Sequence, residues 1–209
     1  MDAAEKGASE AIALLVERKD DFKTEYANFN HVTDRVSMTM LHLAAKRGKV
    51  HVVDQLLKNN DVDIDVNSID DFGSTPLYVA AMWGKLDVVE RLMEHEDIII
   101  DVVAGPRLNR TPLLDAAMVG HVHVVKYLLS GNKRANIRAQ DSRGYTILHH
   151  AAMMGQLAVI EYILSGLAIK DSDRRWLLKE VDYIDNKTPA SLARDCNKDD
   201  AFHLLNKYH

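Results

Sequence analysis

Residues Thr75 to Met93 read TPLYVAAMWGKLDVVERLM, and the chain writes this phrase repeatedly. TMLHLAAKRGKVHVVDQLL starts at Thr39, TPLLDAAMVGHVHVVKYLL at Thr111 and TILHHAAMMGQLAVIEYIL at Thr146. A weaker copy, TPASLARDCNKDDAFHLL, starts at Thr188. Such self-similarity decides the architecture, because a unit that cannot bury its apolar face alone has to stack on its neighbours.

Each copy predicts two short helices. The threonine is an N-cap, its hydroxyl accepting a bond from a free backbone N–H of the first turn. Pro76, Pro112 and Pro189 follow at the first helical position, where a missing N–H costs nothing. The alanine pairs 44/45, 80/81, 116/117 and 151/152 are small enough for helices to approach closely. Gly48, Gly84, Gly120 and Gly155 come three residues later, where a left-handed residue ends a helix. The second helix then has a one-sided apolar pattern, as in Leu86, Val88, Val89, Leu92 and Met93.

These features resemble the ankyrin repeat: a TPLH-type helix start, paired alanines, a glycine, then a V-V-x-x-L-L helix. Four copies match closely and a fifth loosely. The resemblance implies an all-α ankyrin repeat solenoid of helix-turn-helix plus β-hairpin units, with N- and C-terminal caps around four full repeats. Residues 1–209 would form a single ankyrin repeat domain. Its parts would be a capping repeat over 1–33, repeats over 34–69, 70–105, 106–140 and 141–182, and a capping repeat over 183–209. Ala4, Gly7, Ile12 and Leu15 fall where Ala45, Gly48, Val53 and Leu56 fall in the next copy. Residues 22–32 form a longer connection, and the initiator methionine and two caps suggest a whole protein.

The capping threonines are 36, 36, 35 and 42 residues apart, against about 33 for the family, so every connection carries extra residues. Asp70 to Gly73 and Asp141 to Gly144 keep the family's D-x-x-G turn. Pro106-Arg107-Leu108-Asn109 departs from it, although Asn109 tolerates a positive φ. The longest insertion is 165–187. A longer surface loop costs little closure entropy, but Trp176-Leu177-Leu178 is too apolar for a plain loop. It predicts an extra helical turn packed on the last repeats, in preference to a protruding contact element.

Composition narrows the function. The net charge of −5 argues against a general nucleic-acid binder. No long apolar run or leader-like start is visible. The one cysteine, Cys196, cannot form an intramolecular disulfide and fits a reducing compartment, cytosol or nucleus. Ten histidines invite a metal or catalytic reading. However, His121 and His123 lie about 200° apart on a helix, and His42 and His149 occupy the family's structural TPLH position. Cys196 has Asp195 and Asp199 nearby, which would disfavour a thiolate. No H-E-x-x-H, paired C-x-x-C or phosphate-cradling loop appears. The reading is therefore no catalytic, cofactor or metal site.

The resemblance places a protein-binding groove along the hairpin tips and the exposed side of the first helices. By register its variable positions are Arg35, Val36, Met38, Lys46 and Arg47, then Asp71, Phe72, Ser74, Met82 and Trp83. They continue as Arg107, Leu108, Arg110, Met118 and Val119, then Ser142, Arg143, Tyr145, Met153 and Met154. Aromatics anchor interfaces and methionines adapt to a partner's shape. Six of these twenty positions are basic and one acidic. The predicted function is non-catalytic protein recognition, by an adaptor, inhibitor or assembly factor, of an acidic or phosphorylated segment. The alternative is a pathogen effector or a regulatory ankyrin subunit acting on a host or client enzyme; an enzyme and a nucleic-acid binder are weaker rivals. The chain would be monomeric on its own. Hairpin asparagines of the family can also be hydroxylated in animal cells, and Asn67 and Asn136 lie near that position.

Overall fold

The computed structural model of the protein describes residues 36–58, 64–105, 109–165 and 169–208. The expected N-terminal cap, together with Arg35, Arg107 and Leu108, lies outside the described residues. The described residues hold eleven helices and no strand. The chain divides into two compact units, one ending at Val102 and the other beginning at Val103.

The first unit contains α1 (Met40–Arg47), α2 (Val50–Lys58), α3 (Pro76–Met82) and α4 (Leu86–Met93). The second contains α5 (Pro112–Val119), α6 (Val122–Leu128), α7 (Ile147–Met154), α8 (Leu157–Leu164), α9 (Asp171–Lys179), α10 (Pro189–Asp195) and α11 (Asp199–Asn206). The threonines at 39, 75, 111, 146 and 188 all cap as expected, in extended backbone, each side chain accepting from the N–H three residues on. The three prolines open their helices. Gly48, Gly120 and Gly155 close theirs at φ 68, 92 and 72, a region that costs any residue with a Cβ.

Spacing of apolar residues dictates the packing. Val52, Val53 and Leu56 on α2, and Val88, Val89 and Leu92 on α4, sit at i, i+1 and i+4 and are all buried. This puts them on one face. In the first unit α1 packs on α3 and α2 on α4; in the second α5 packs on α7 and α7 on α10, while α6 packs on α8 and α8 on α11. The alanine pairs are buried between the first helices. Neighbours also interlock at the glycines. The Lys85 side chain lies over Gly48, Gln156 over Gly120 and Lys198 over Gly155.

The expected β-hairpins are turns. Among the described residues the only β pairing is the isolated bridge between Ala104 and Arg110. The physical reason is local. Asp70 Oδ1 accepts from the N–H groups of Phe72 and Ser74 (2.9 and 2.8 Å), and Asp141 Oδ1 from those of Arg143 and Tyr145 (2.8 and 2.9 Å). The carboxylate thus takes donors that a ladder would otherwise use. Asn109 has φ 48, the positive value its position demands.

The insertion is a helix followed by a further turn. In α9, Leu177 and Leu178 are buried, and the helix packs on α7 and α10, as the apolar cluster predicts. Beyond it, Asp182 Oδ1 accepts from the N–H groups of Ile184 and Asp185 (2.8 and 2.7 Å), and its Oδ2 from that of Lys187 (3.1 Å). Asn186 has φ 51 and stands where the other turns have glycine.

Candidate protein-binding face

The face rests on the helix starts. His42 Nδ1 lies 2.8 Å from Thr39 Oγ1 and accepts from the Thr39 N–H at 3.2 Å, while Nε2 reaches the Ser74 carbonyl at 2.8 Å. One buried ring thereby ties a helix cap to the turn of the next copy. His149 repeats the arrangement with Thr146 and the Lys187 carbonyl, the latter at 2.9 Å. The structural role assigned to both TPLH histidines is what the geometry shows.

In the first unit, Lys46 and Arg47 are half-buried in the last turn of α1, while Met82 and Trp83 are exposed at the end of α3 (37% and 48%). Lys46 Nζ lies 5.4 Å from the Trp83 ring centroid, so these two are brought together. Phe72 is 50% exposed at the turn tip, beside the 61% exposed Ile69.

In the second unit, Met118 and Met153 are half-buried, Val119 and Met154 exposed, and Arg143 exposed. Two expected face residues are engaged inside the fold. Arg110 is ion-paired with the fully buried Asp115. Tyr145 is buried, stacked on His149 with ring centroids 5.5 Å apart and edge-on to His150 at 5.7 Å. It therefore offers a partner little surface. Tyr183 and Ile184, 65% and 60% exposed, were not among the sequence candidates. They follow Asp182 as Asp71 and Phe72 follow Asp70. The signal was D-Y-I-D-N-K ahead of Thr188, disguised by one extra residue and by asparagine in the glycine place.

Buried charge sharpens the second unit. His150 Nε2 lies 3.2 Å from Asp141 Oδ2, and both groups are buried. Burial pushes the Asp141 carboxyl up, but the adjacent His150 and bonds from the Tyr145 and Arg143 N–H groups outweigh it and leave its pKa below the usual value. Asp182 is likewise held low by its three turn N–H groups against burial. Burial also pushes His149 below the ordinary histidine value, against the opposing pull of the Lys187 carbonyl and Asp182. Tyr145 is raised, chiefly by burial.

Asn67 donates to the Asp97 carbonyl (2.7 Å) and accepts from the Ile99 N–H (2.8 Å), bridging two connections of the first unit. Asn136 does something else: its Oδ1 accepts from the Arg138 N–H at 3.0 Å, which is the role Asp65 has toward Asn67. Cys196 ends α10 half-exposed. Among the described residues no three His, Cys, Asp or Glu side chains converge as metal ligands. No described helix is long and apolar enough to cross a membrane. A family model described as ankyrin repeats (three copies) matches residues 1–104 and 96–173. No curated protein matches the chain significantly.

Proposed function

We propose that this chain, which belongs to the ankyrin repeat family, is a non-catalytic recognition protein that works by presenting the ends of its first helices and its turn tips to a partner protein. Ankyrin repeats are in general protein–protein interaction modules, and the family is typically non-catalytic. The observation that carries the reading is the set of exposed apolar side chains at register-matched positions. These are Phe72, Met82 and Trp83 in the first unit, and Val119 and Met154 in the second. Internal packing does not require them, and they sit on capped, rigid elements.

The role is that of an adaptor, inhibitor or assembly factor acting in cytosol or nucleus, with four full repeats capped at both ends. The partner segment is acidic or phosphorylated. Lys46 beside Trp83 and the exposed Arg143 support this charge preference, although Arg110 is already paired with Asp115 and contributes less. The test is affinity capture from cell lysate with the wild type and a Trp83→Ala/Met154→Arg variant, both checked by circular dichroism. A protein retained by the wild type and lost by the variant names the partner and locates the face. Equal retention refutes the face. Reversing Lys46 and Arg143 to glutamate should lower affinity for that partner and flatten its salt dependence; an unchanged salt slope refutes the acidic partner.

A further inference from the structure

The described methionines divide between the core and one position of the repeat. Met40 is fully buried, and Met93 and Met38 are 7% and 9% exposed, all three in the packed interior. Met82, Met118 and Met153 each stand seven residues after a capping threonine, and Met154 one residue later, at the ends of α3, α5 and α7. Met154 is 48% exposed and Met82 37%, while Met118 and Met153 are half-buried. In each unit, the described methionines with substantial exposure are therefore the ones at positions proposed to meet a partner.

The fold does not need a thioether at this position. In the first copy the same two places hold Lys46 and Arg47, half-buried at the end of α1, so the repeat packs around charged side chains there. A polar change at Met82 or Met154 leaves the helix stack standing, whereas the same change at Met40 puts a polar group into a closed interior. A partner seated on the face reads the difference. The thioether is soft and apolar; its sulfoxide carries a strong acceptor oxygen on a newly chiral sulfur.

Given the recognition role proposed above, on which this rests, we propose that Met82, Met118, Met153 and Met154 are an oxidation site that controls partner binding. Conversion to the sulfoxide makes the recognition positions polar and releases the partner while the fold persists. The oxidant is hydrogen peroxide. The thioether sulfur attacks one peroxide oxygen, and the O–O bond breaks as the S–O bond forms. The sulfur loses two electrons, and the other oxygen leaves as water with both hydrogens. Methionine sulfoxide reductases reverse the step, two thiols becoming a disulfide as the oxygen leaves as water. Exposure sets the order of reaction: Met154 and Met82 first, Met118 and Met153 next, and Met38, Met40 and Met93 last. Cys196, half-exposed at the end of α10, also reacts with peroxide and is substituted in the test.

The test uses the full chain carrying Cys196→Ser, treated with hydrogen peroxide in steps. Peptide mass mapping follows each methionine and circular dichroism follows the fold. Capture follows the lysate protein that the wild type retains and the Trp83→Ala/Met154→Arg variant loses. Sulfoxide should form at Met154 and Met82 before the three buried methionines, with the thermal midpoint unchanged. Affinity should fall about tenfold for each sulfoxide that the partner covers. Methionine sulfoxide reductases should restore it. A Met82→Leu/Met118→Leu/Met153→Leu/Met154→Leu variant, close in volume to the original, should keep its affinity through the same treatment. If that variant does not fold, reversal by the reductases decides the matter. Oxidation led by the buried methionines overturns the oxidation site and leaves the face intact. So does unfolding that accompanies the sulfoxides, full retention by the oxidised chain, or release that the reductases do not reverse. Equal retention by the wild type and the Trp83→Ala/Met154→Arg variant overturns the face, and the oxidation site with it.

Discussion

The two units are written in the same repeat phrase and depart from it in opposite places. In the first, the departures face outward: Ile69, Phe72, Met82 and Trp83 are exposed, and the inner helices bury Leu43 and Val79. In the second, the same helix position holds Asp115 and His150, both buried, each beside a residue of the preceding turn. The repeat phrase thus fixes caps and packing, and leaves each unit free to place unusual chemistry on its surface or in its interior.

The sharpest way to break the comparison is to strand a charge. Arg110→Ala removes the cation that pairs with the buried Asp115 and should cost about 3 kcal/mol, whereas Arg110→Met with Asp115→Leu should be less destabilising. Urea unfolding of both variants measures this, and equal losses would mean that the pair is not the source. Leu77→Asp, in the apolar first unit, should cost a similar few kcal/mol with no second change to rescue it.

Acid should separate the units next. The folded pKa of His149 is lowered, so its stabilisation is complete above the unfolded value, about 6.5, and is lost as pH falls below it. Asp141 and Asp182 are also lowered. Their contributions are present above the ordinary aspartate value and disappear as pH falls through their folded values. Thermal midpoints should therefore drop below pH 6.5 and again below pH 4. Hydrogen exchange should report the first loss in the second unit.

Smaller effects come from backbone and surface. Gly144 has φ 79, and an added Cβ would meet the Tyr183 ring at 2.8 Å, whereas Gly131, at φ 74, has open space. Gly144→Ala should cost about 1–3 kcal/mol and Gly131→Ala about 1 kcal/mol. Equal losses would show that the ring yields freely. Trp83→Ala should change stability least, by less than about 1 kcal/mol, while abolishing partner capture.

Most of the framework could be read from the residues, because each device is local. A threonine, the proline after it and a glycine nine residues on need only their own neighbours to act. His42 and His149 were legible through the resemblance instead, since the carbonyls they reach lie 32 and 38 residues on. What escaped reading depends on distant or shifted partners. Tyr145 looks like a free face position until His149 and His150 close around it. Arg110 looks like a rim cation until Asp115 turns inward beneath it. The Asp182 turn was hidden because it is one residue longer and uses Asn186 in place of glycine. Helix α9 was foreseen through its apolar cluster, and its two ends were not.

The side chains lying over the glycines have a consequence for how such a chain can be cut and rejoined. Gly48, Gly120 and Gly155 are each covered by the residue that opens the second helix of the next copy, Lys85, Gln156 or Lys198. A module grafted from threonine to threonine would carry its glycine and leave the cover behind. Lysine and glutamine are long enough to refit a new neighbour, so exchange at those junctions should be tolerated during evolution or engineering. At Gly144 the cover is the ring of Tyr183, and that pair would have to travel together.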